Sequence, residues 1–333
     1  MKKRLLLIFV TILSIGLLAG CSNPKKDYKN FVNSEEIKVV TTISLLADML
    51  KNIGGNKVVV HQLMKPGVDP HSYIPTKLDI DYLLSADVII FSGIHLEAQT
   101  SEALRKVADR ESIVIEAAEI LVQKHQNNNE DGVMLISWTG EEHEGHDHGN
   151  LMYDPHFWFD VNYWIIVTRY VTDELSRLFP EHKNYFELRY QSYLTRLNAL
   201  NTYLDTRVNE VPIEKRILFT AHDAFGYFGQ RHGFKVNAVL GISTEDEAST
   251  KDIENLVNLA IEDNVEVIFI ESSVPQKTID AIIESARIKG HTIRIGGELF
   301  SDSLGNPDGK GSTYIDMLKD NMDTIVDAIL NKK

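Results

Sequence analysis

The tripeptide Asp-Pro-His occurs twice in the chain, as Asp69-Pro70-His71 and as Asp154-Pro155-His156. Proline fixes its own φ, lacks a backbone donor and pushes the preceding residue toward extended geometry, so each triplet is a stiff corner that aims an imidazole. That suits a metal ligand, because selectivity requires donors held in place before the ion arrives. Each corner follows a run of apolar, strand-like residues. A third imidazole, His222, stands in Thr220-Ala221-His222-Asp223-Ala224-Phe225, just after the strand-like stretch 216–220. Asp302, in Phe300-Ser301-Asp302-Ser303-Leu304-Gly305, follows strand-like 292–295 by a short turn, Gly296-Gly297. If the four converge, they make a site of three nitrogens and one carboxylate. Such a set fits Zn²⁺ at four-coordination, and Mn²⁺ if the carboxylate binds through both oxygens.

A second group, His143, His146 and His148, lies in the acidic, Gly-flanked segment 141–149. Its polarity predicts a mobile loop that could gather ions beside the main site without a fixed geometry.

The elements that must position these residues alternate. Strands are predicted at 37–42, 58–64, 87–91 and 112–115, and helices at 45–53, 77–85 and 97–108. Ser44 caps the first helix and Gly54-Gly55 closes it. The rhythm returns after residue 210, with strands at 216–220, 267–271 and 292–295 and helices near 224–231, 250–263, 275–288 and 313–330. Strand and helix in alternation predict an α/β fold of two βα lobes with mostly parallel sheets and ligands at the carboxyl ends of the strands. Between the lobes, residues 182–209 contain no Gly or Pro and carry an apolar stripe at Phe186, Tyr190, Tyr193, Leu194, Leu197, Leu204 and Val208. That is one long amphipathic helix, separated by Pro180 from a helix at 163–178 and stopped by Pro212.

The N-terminus sets the compartment. A basic Lys2-Lys3-Arg4 precedes the apolar stretch 5–18, which has the length of a signal-peptide core rather than of a membrane span. It ends in Leu18-Ala19-Gly20-Cys21, the form of a bacterial lipobox, with Cys21 the single cysteine of the chain. Residues 1–20 are therefore expected to be a lipoprotein signal peptide and 21–36 a polar tether from lipidated Cys21. The protein is placed on the outer face of the cytoplasmic membrane. The net charge is −14, and the three cations lost with the leader would make it −17. That balance argues against nucleic acid as a partner and mildly favours cations.

The lipobox, the paired corners, the His222 segment extended to Phe228, Gly241-Ile242-Ser243-Thr244, Glu271-Ser272-Ser273-Val274-Pro275 and the Asp302 segment together resemble the cluster A-I solute-binding lipoproteins of zinc and manganese ABC transporters. The resemblance covers essentially the whole mature chain. It implies an N-terminal lobe at 37–180, a rigid linking helix at 181–211 and a C-terminal lobe at 212–333. The metal site would lie in the interlobe cleft, with His71 and His156 from one lobe and His222 and Asp302 from the other. It also implies a monomer that delivers its ion to an ABC permease and its ATPase. Three imidazoles point to Zn²⁺ over Mn²⁺. A secreted zinc hydrolase would need an open coordination position, and no His-Glu-x-x-His motif occurs. A surface adhesin finds no repeats or stalk.

Overall fold

The computed structural model describes residues 24–100, 103, 104, 106, 113–138, 152–244 and 248–332. Cys21, the leader and the His143, His146 and His148 loop lie outside them. The chain forms two compact units, 1–35 and 36–333. In the first, Pro24–Val32, within the expected polar tether, is a helix (α1). Proline at the first helical position, Asp27 in the first turn and Lys29 in the last favour that start and end.

The second unit opens with a four-stranded sheet, β1 (Ile37–Thr41), β2 (Val58–Gln62), β3 (Val88–Phe91) and β4 (Ile113–Glu116). Its order is β2-β1-β3-β4 and every pairing is parallel. The connections of the first two strands are α2 (Ser44–Gly54) and α3 (Lys77–Ser85). Thr76 and Asp79 form a reciprocal capping box at the start of α3. At α2 the expected cap is absent: Ile43 occupies the capping position without a side-chain bond. The Ser44 hydroxyl instead accepts the backbone N–H of Leu304, 260 residues on in the chain. Gly55 closes α2 at φ 55°, as the Gly54-Gly55 pair predicts. Of the helix expected at 97–108, the described residues show a 3₁₀ turn, Ala98–Thr100, followed by helical Ala103, Leu104 and Lys106. After β4 come α4 (Glu119–Gln126) and the short antiparallel pair β5 (Ser137–Trp138) and β6 (Met152–Tyr153), none of them expected.

Helices α5 (Val161–Leu178) and α6 (Lys183–Val208) follow. The 26 residues of α6 span about 39 Å at the helical rise of 1.5 Å per residue. It packs against α2 of the first lobe and against the terminal helix of the second, joining the two. Its buried face, Phe186, Tyr190, Tyr193, Leu197, Leu200, Leu204 and Val208, follows the stripe the sequence shows except that Leu200 joins it and Leu194 is only half-buried.

The second lobe contains β7 (Ile217–His222), α7 (Gly226–His232), β8 (Lys235–Leu240), α8 (Thr250–Glu262), β9 (Val267–Glu271), α9 (Lys277–Ile288), β10 (Arg294–Leu299) and α10 (Tyr314–Ile329). β7 pairs β8 and β9 pairs β10, both in parallel, and β7 runs beside β9. Phe219, Val257, Ile268, Ile279 and Ile282 centre its core. Two expectations need correction. β8 was not foreseen, because five of its six residues are only partly buried or exposed and no sustained apolar run announces it. Gly296-Gly297 is not a turn: both residues lie inside β10, at an irregularity in its register with β9. A Cβ on Gly296 would stand 2.5 Å from Val267 Cγ1, so close packing between strands requires glycine there.

Candidate metal centre

The two Asp-Pro-His corners are built by the same local bond. Asp69 Oδ1 accepts the backbone N–H of His71 at 2.9 Å, and Asp154 Oδ1 that of His156, also at 2.9 Å. Neither corner sits directly on a long strand. Six residues separate the first from β2, and the second follows the two-residue β6. His222 is itself the last residue of β7, and Asp302 follows β10 by three positions.

These four residues come together. One donor atom from each of His71, His156, His222 and Asp302 lies within 4.8 Å of all the others. His71 Nε2 and His156 Nε2 are 3.3 Å apart, His156 Nε2 is 3.3 Å from Asp302 Oδ1, and His222 Nε2 is 3.4 Å from Asp302 Oδ2. Bonds of about 2.0–2.1 Å to a tetrahedral ion would separate its donors by about 3.3–3.4 Å, so these contacts have the length of tetrahedron edges. Three of the four residues are fully buried and His71 is 3% exposed. Among the described residues, His222 Nε2 and Asp302 Oδ1 make no hydrogen bond. Buried polar atoms without partners are costly, and a cation between them would satisfy both.

The supporting groups differ for each ligand. Asp154 Oδ1, besides holding the His156 backbone, lies 2.7 Å from the ring Nδ1, which directs Nε2 inward. The Trp158 ring stands edge-on to His156 at 5.3 Å. Glu271, the last residue of β9, accepts the backbone N–H groups of Ala221 and His222 on Oε1 at 2.8 and 2.9 Å. Its Oε2 lies 2.5 Å from His222 Nδ1. Ser273 Oγ donates to Asp302 Oδ2 at 2.9 Å. Glu271 belongs to a motif noted in the sequence, but its role was missed. The available signal was a carboxylate closing an otherwise apolar strand, Val267-Ile268-Phe269-Ile270-Glu271.

Burial pushes His71 down to about 3, reinforced by the neighbouring imidazoles and opposed by Asp302. At His156 burial also works against protonation, but Asp154 and Asp302 outweigh it and bring the ring to about 9. His222 is raised well above the usual range: burial opposes this, and Glu271 and Asp302 prevail. Asp302 is held well below the carboxylate range by His222 and His156 against the effect of burial. The pocket thus combines a fixed anion with imidazoles, a set that binds a cation by giving up protons.

The sequence family described as the periplasmic component A of zinc-uptake complexes (ZnuA) matches residues 39–328. The chain belongs to that family. Among its curated relatives, the zinc-binding protein TroA of Treponema pallidum is 36% identical over 97% of this chain and 98% of its own length. The manganese-binding lipoprotein MntA of Bacillus subtilis is 35% identical over 94% and 95%. The manganese ABC transporter substrate-binding lipoprotein PsaA of Streptococcus pneumoniae is 29% identical over 98% and 99%. The solved structure of periplasmic TroA from T. pallidum superposes with a TM-score of 0.78 over 88% of this chain and 99% of that one. The expected α/β architecture, two βα lobes joined by a long helix, is thus the architecture found.

Proposed function

We propose that this protein is an extracytoplasmic receptor that captures a divalent transition-metal ion and delivers it to an ABC permease driven by its ATPase. His71, His156, His222 and Asp302 serve as the ligands. The observation that carries this reading is the buried cluster itself, four donors at the spacing a tetrahedral ion demands. Zinc is the favoured ion, since imidazole-rich sets bind it well and it ranks above manganese in intrinsic affinity. Manganese is the second reading, because both Asp302 oxygens face imidazoles and could bind together.

The protein carries no catalytic role in this reading. Four protein donors leave tetrahedral zinc no position for a reacting water. Ion entry displaces protons from the imidazoles, so affinity falls in acid. Lipidation at Cys21 would hold the receptor, a monomer, at the outer face of the cytoplasmic membrane. No described helix is long and apolar enough to cross it. The domains follow as 37–180, a linking helix at 181–211 and 212–333, with the 141–149 loop, through His143, His146 and His148, gathering ions. Competitive titration with Zn²⁺ and Mn²⁺, with bound metal read by elemental analysis, tests the choice. Zinc should dominate at equal free concentrations, and retention of manganese alone would refute the zinc assignment.

A further inference from the structure

Three consecutive residues, Gly93, Ile94 and His95, have positive φ, at 89°, 49° and 63°. For a β-branched isoleucine this is a rare, strained conformation. It persists because two carboxylates fasten the turn. Glu97, 3% exposed, accepts the Ser92 and Gly93 N–H groups and the Thr42 hydroxyl, and Glu116 Oε1 accepts the Ile94 N–H. Strain fixed this firmly points to function.

The turn places exposed His95 on the wall of a small cavity whose other imidazole is His71, the one site residue that is not completely buried. Ile94, Trp138, Pro155 and Ile242 supply an apolar lining, Tyr153 and Ser243 add hydroxyls, and the two imidazoles are its nitrogen donors for a metal. The cavity measures about 20 Å³, little more than the roughly 10–15 Å³ that one water requires. A hydrated divalent ion does not fit intact into so small a space. It must shed water, and each lost water raises the barrier unless another donor replaces it.

We infer that His95 is an entry ligand, which takes the incoming divalent ion at the mouth of this cavity and hands it to His71. The inference rests on the receptor reading above. A ligand used in transit and released in the final complex lowers the barrier in both directions. Its loss therefore slows association and dissociation equally and leaves Kd unchanged.

The test uses the full chain purified in detergent, with Zn²⁺ alone as probe. Association is followed by stopped-flow tryptophan fluorescence, and Kd and stoichiometry by chelator competition. His95→Asn and His95→Gly are the variants, because Asn and Gly both tolerate positive φ and preserve the turn. A fall of about tenfold in the association rate constant, about 1.4 kcal/mol in barrier, with Kd and stoichiometry unchanged in both variants, is expected. An unchanged association rate would overturn the proposal, as would a weakened Kd at unchanged association rate. The receptor reading is judged separately with His95 intact: if His222→Ala retains the wild-type zinc stoichiometry, that reading fails, whatever the His95 variants do.

Discussion

At Asp154 one carboxylate oxygen serves two atoms of the same histidine, the backbone N–H and the ring Nδ1 of His156. At Asp69 the second oxygen turns elsewhere, to Ser72 Oγ and across to Thr244 Oγ1. The repeat of residue types was legible in the sequence because proline and an Asx bond are local. The divergence was not, because Thr244 is 175 positions away. Glu271 was missed as a supporting group for the same reason, since its contacts with β7 exist only after two strands come side by side. Replacing Glu271 by Gln should weaken zinc binding about 10- to 100-fold, the usual range for groups that orient a ligand, at a preserved stoichiometry. Chelator competition measures this, and unchanged affinity would remove Glu271 from the account. His232, 4% exposed and packed on Phe228, makes a prediction about stability. Burial, with help from Arg231 and Arg216, lowers it from 6.5 to about 4. Its neutral form is therefore favoured in the folded state. The contribution is complete above pH 6.5 and disappears as pH falls to 4, about 3 kcal/mol in all at 1.36 kcal/mol per pH unit. Urea unfolding of His232→Phe across that window should show a loss of stability with acid smaller by about that amount.

Among the elements, those with strong periodicity or firm end signals are legible in the sequence. The stripe on α6 and the glycines closing α2 are local statements of packing and of φ. The errors lie where tertiary contacts override local cues. Ser44 looks like a helix cap but bonds Leu304 of the other lobe. Gly296-Gly297 looks like a turn but is a tightly packed strand. β5 and β6 are two residues each, too short for any pattern. The linking helix is also the element whose packing is easiest to test. Leu197 is completely buried on its inner face, so Leu197→Ala should destabilise the protein by about 2–5 kcal/mol in equilibrium urea unfolding. A change below 1 kcal/mol would mean that α6 is not packed as described.

On the scale of the whole molecule, the two lobes meet through bonds that flank the site. Gly67 N–H donates to Ser303 Oγ at 2.8 Å, Thr244 Oγ1 to Asp69 Oδ2 at 2.5 Å and Trp158 Nε1 to the Ser301 carbonyl at 3.0 Å. Each involves a residue within three positions of a proposed ligand. An ion held by both lobes acts in parallel with them, so zinc at 100 times its Kd should stabilise the protein by about 2.7 kcal/mol. The rise in thermal midpoint should disappear in His71→Ala. The central claim, that these four residues form one metal site, meets its most direct test in the metal content of His71→Ala combined with His222→Ala. Wild type and double variant are equilibrated with zinc, dialysed against a weak chelator and measured by elemental analysis. One zinc per wild-type chain and none in the variant is the predicted result, and a variant retaining the wild-type content would contradict it.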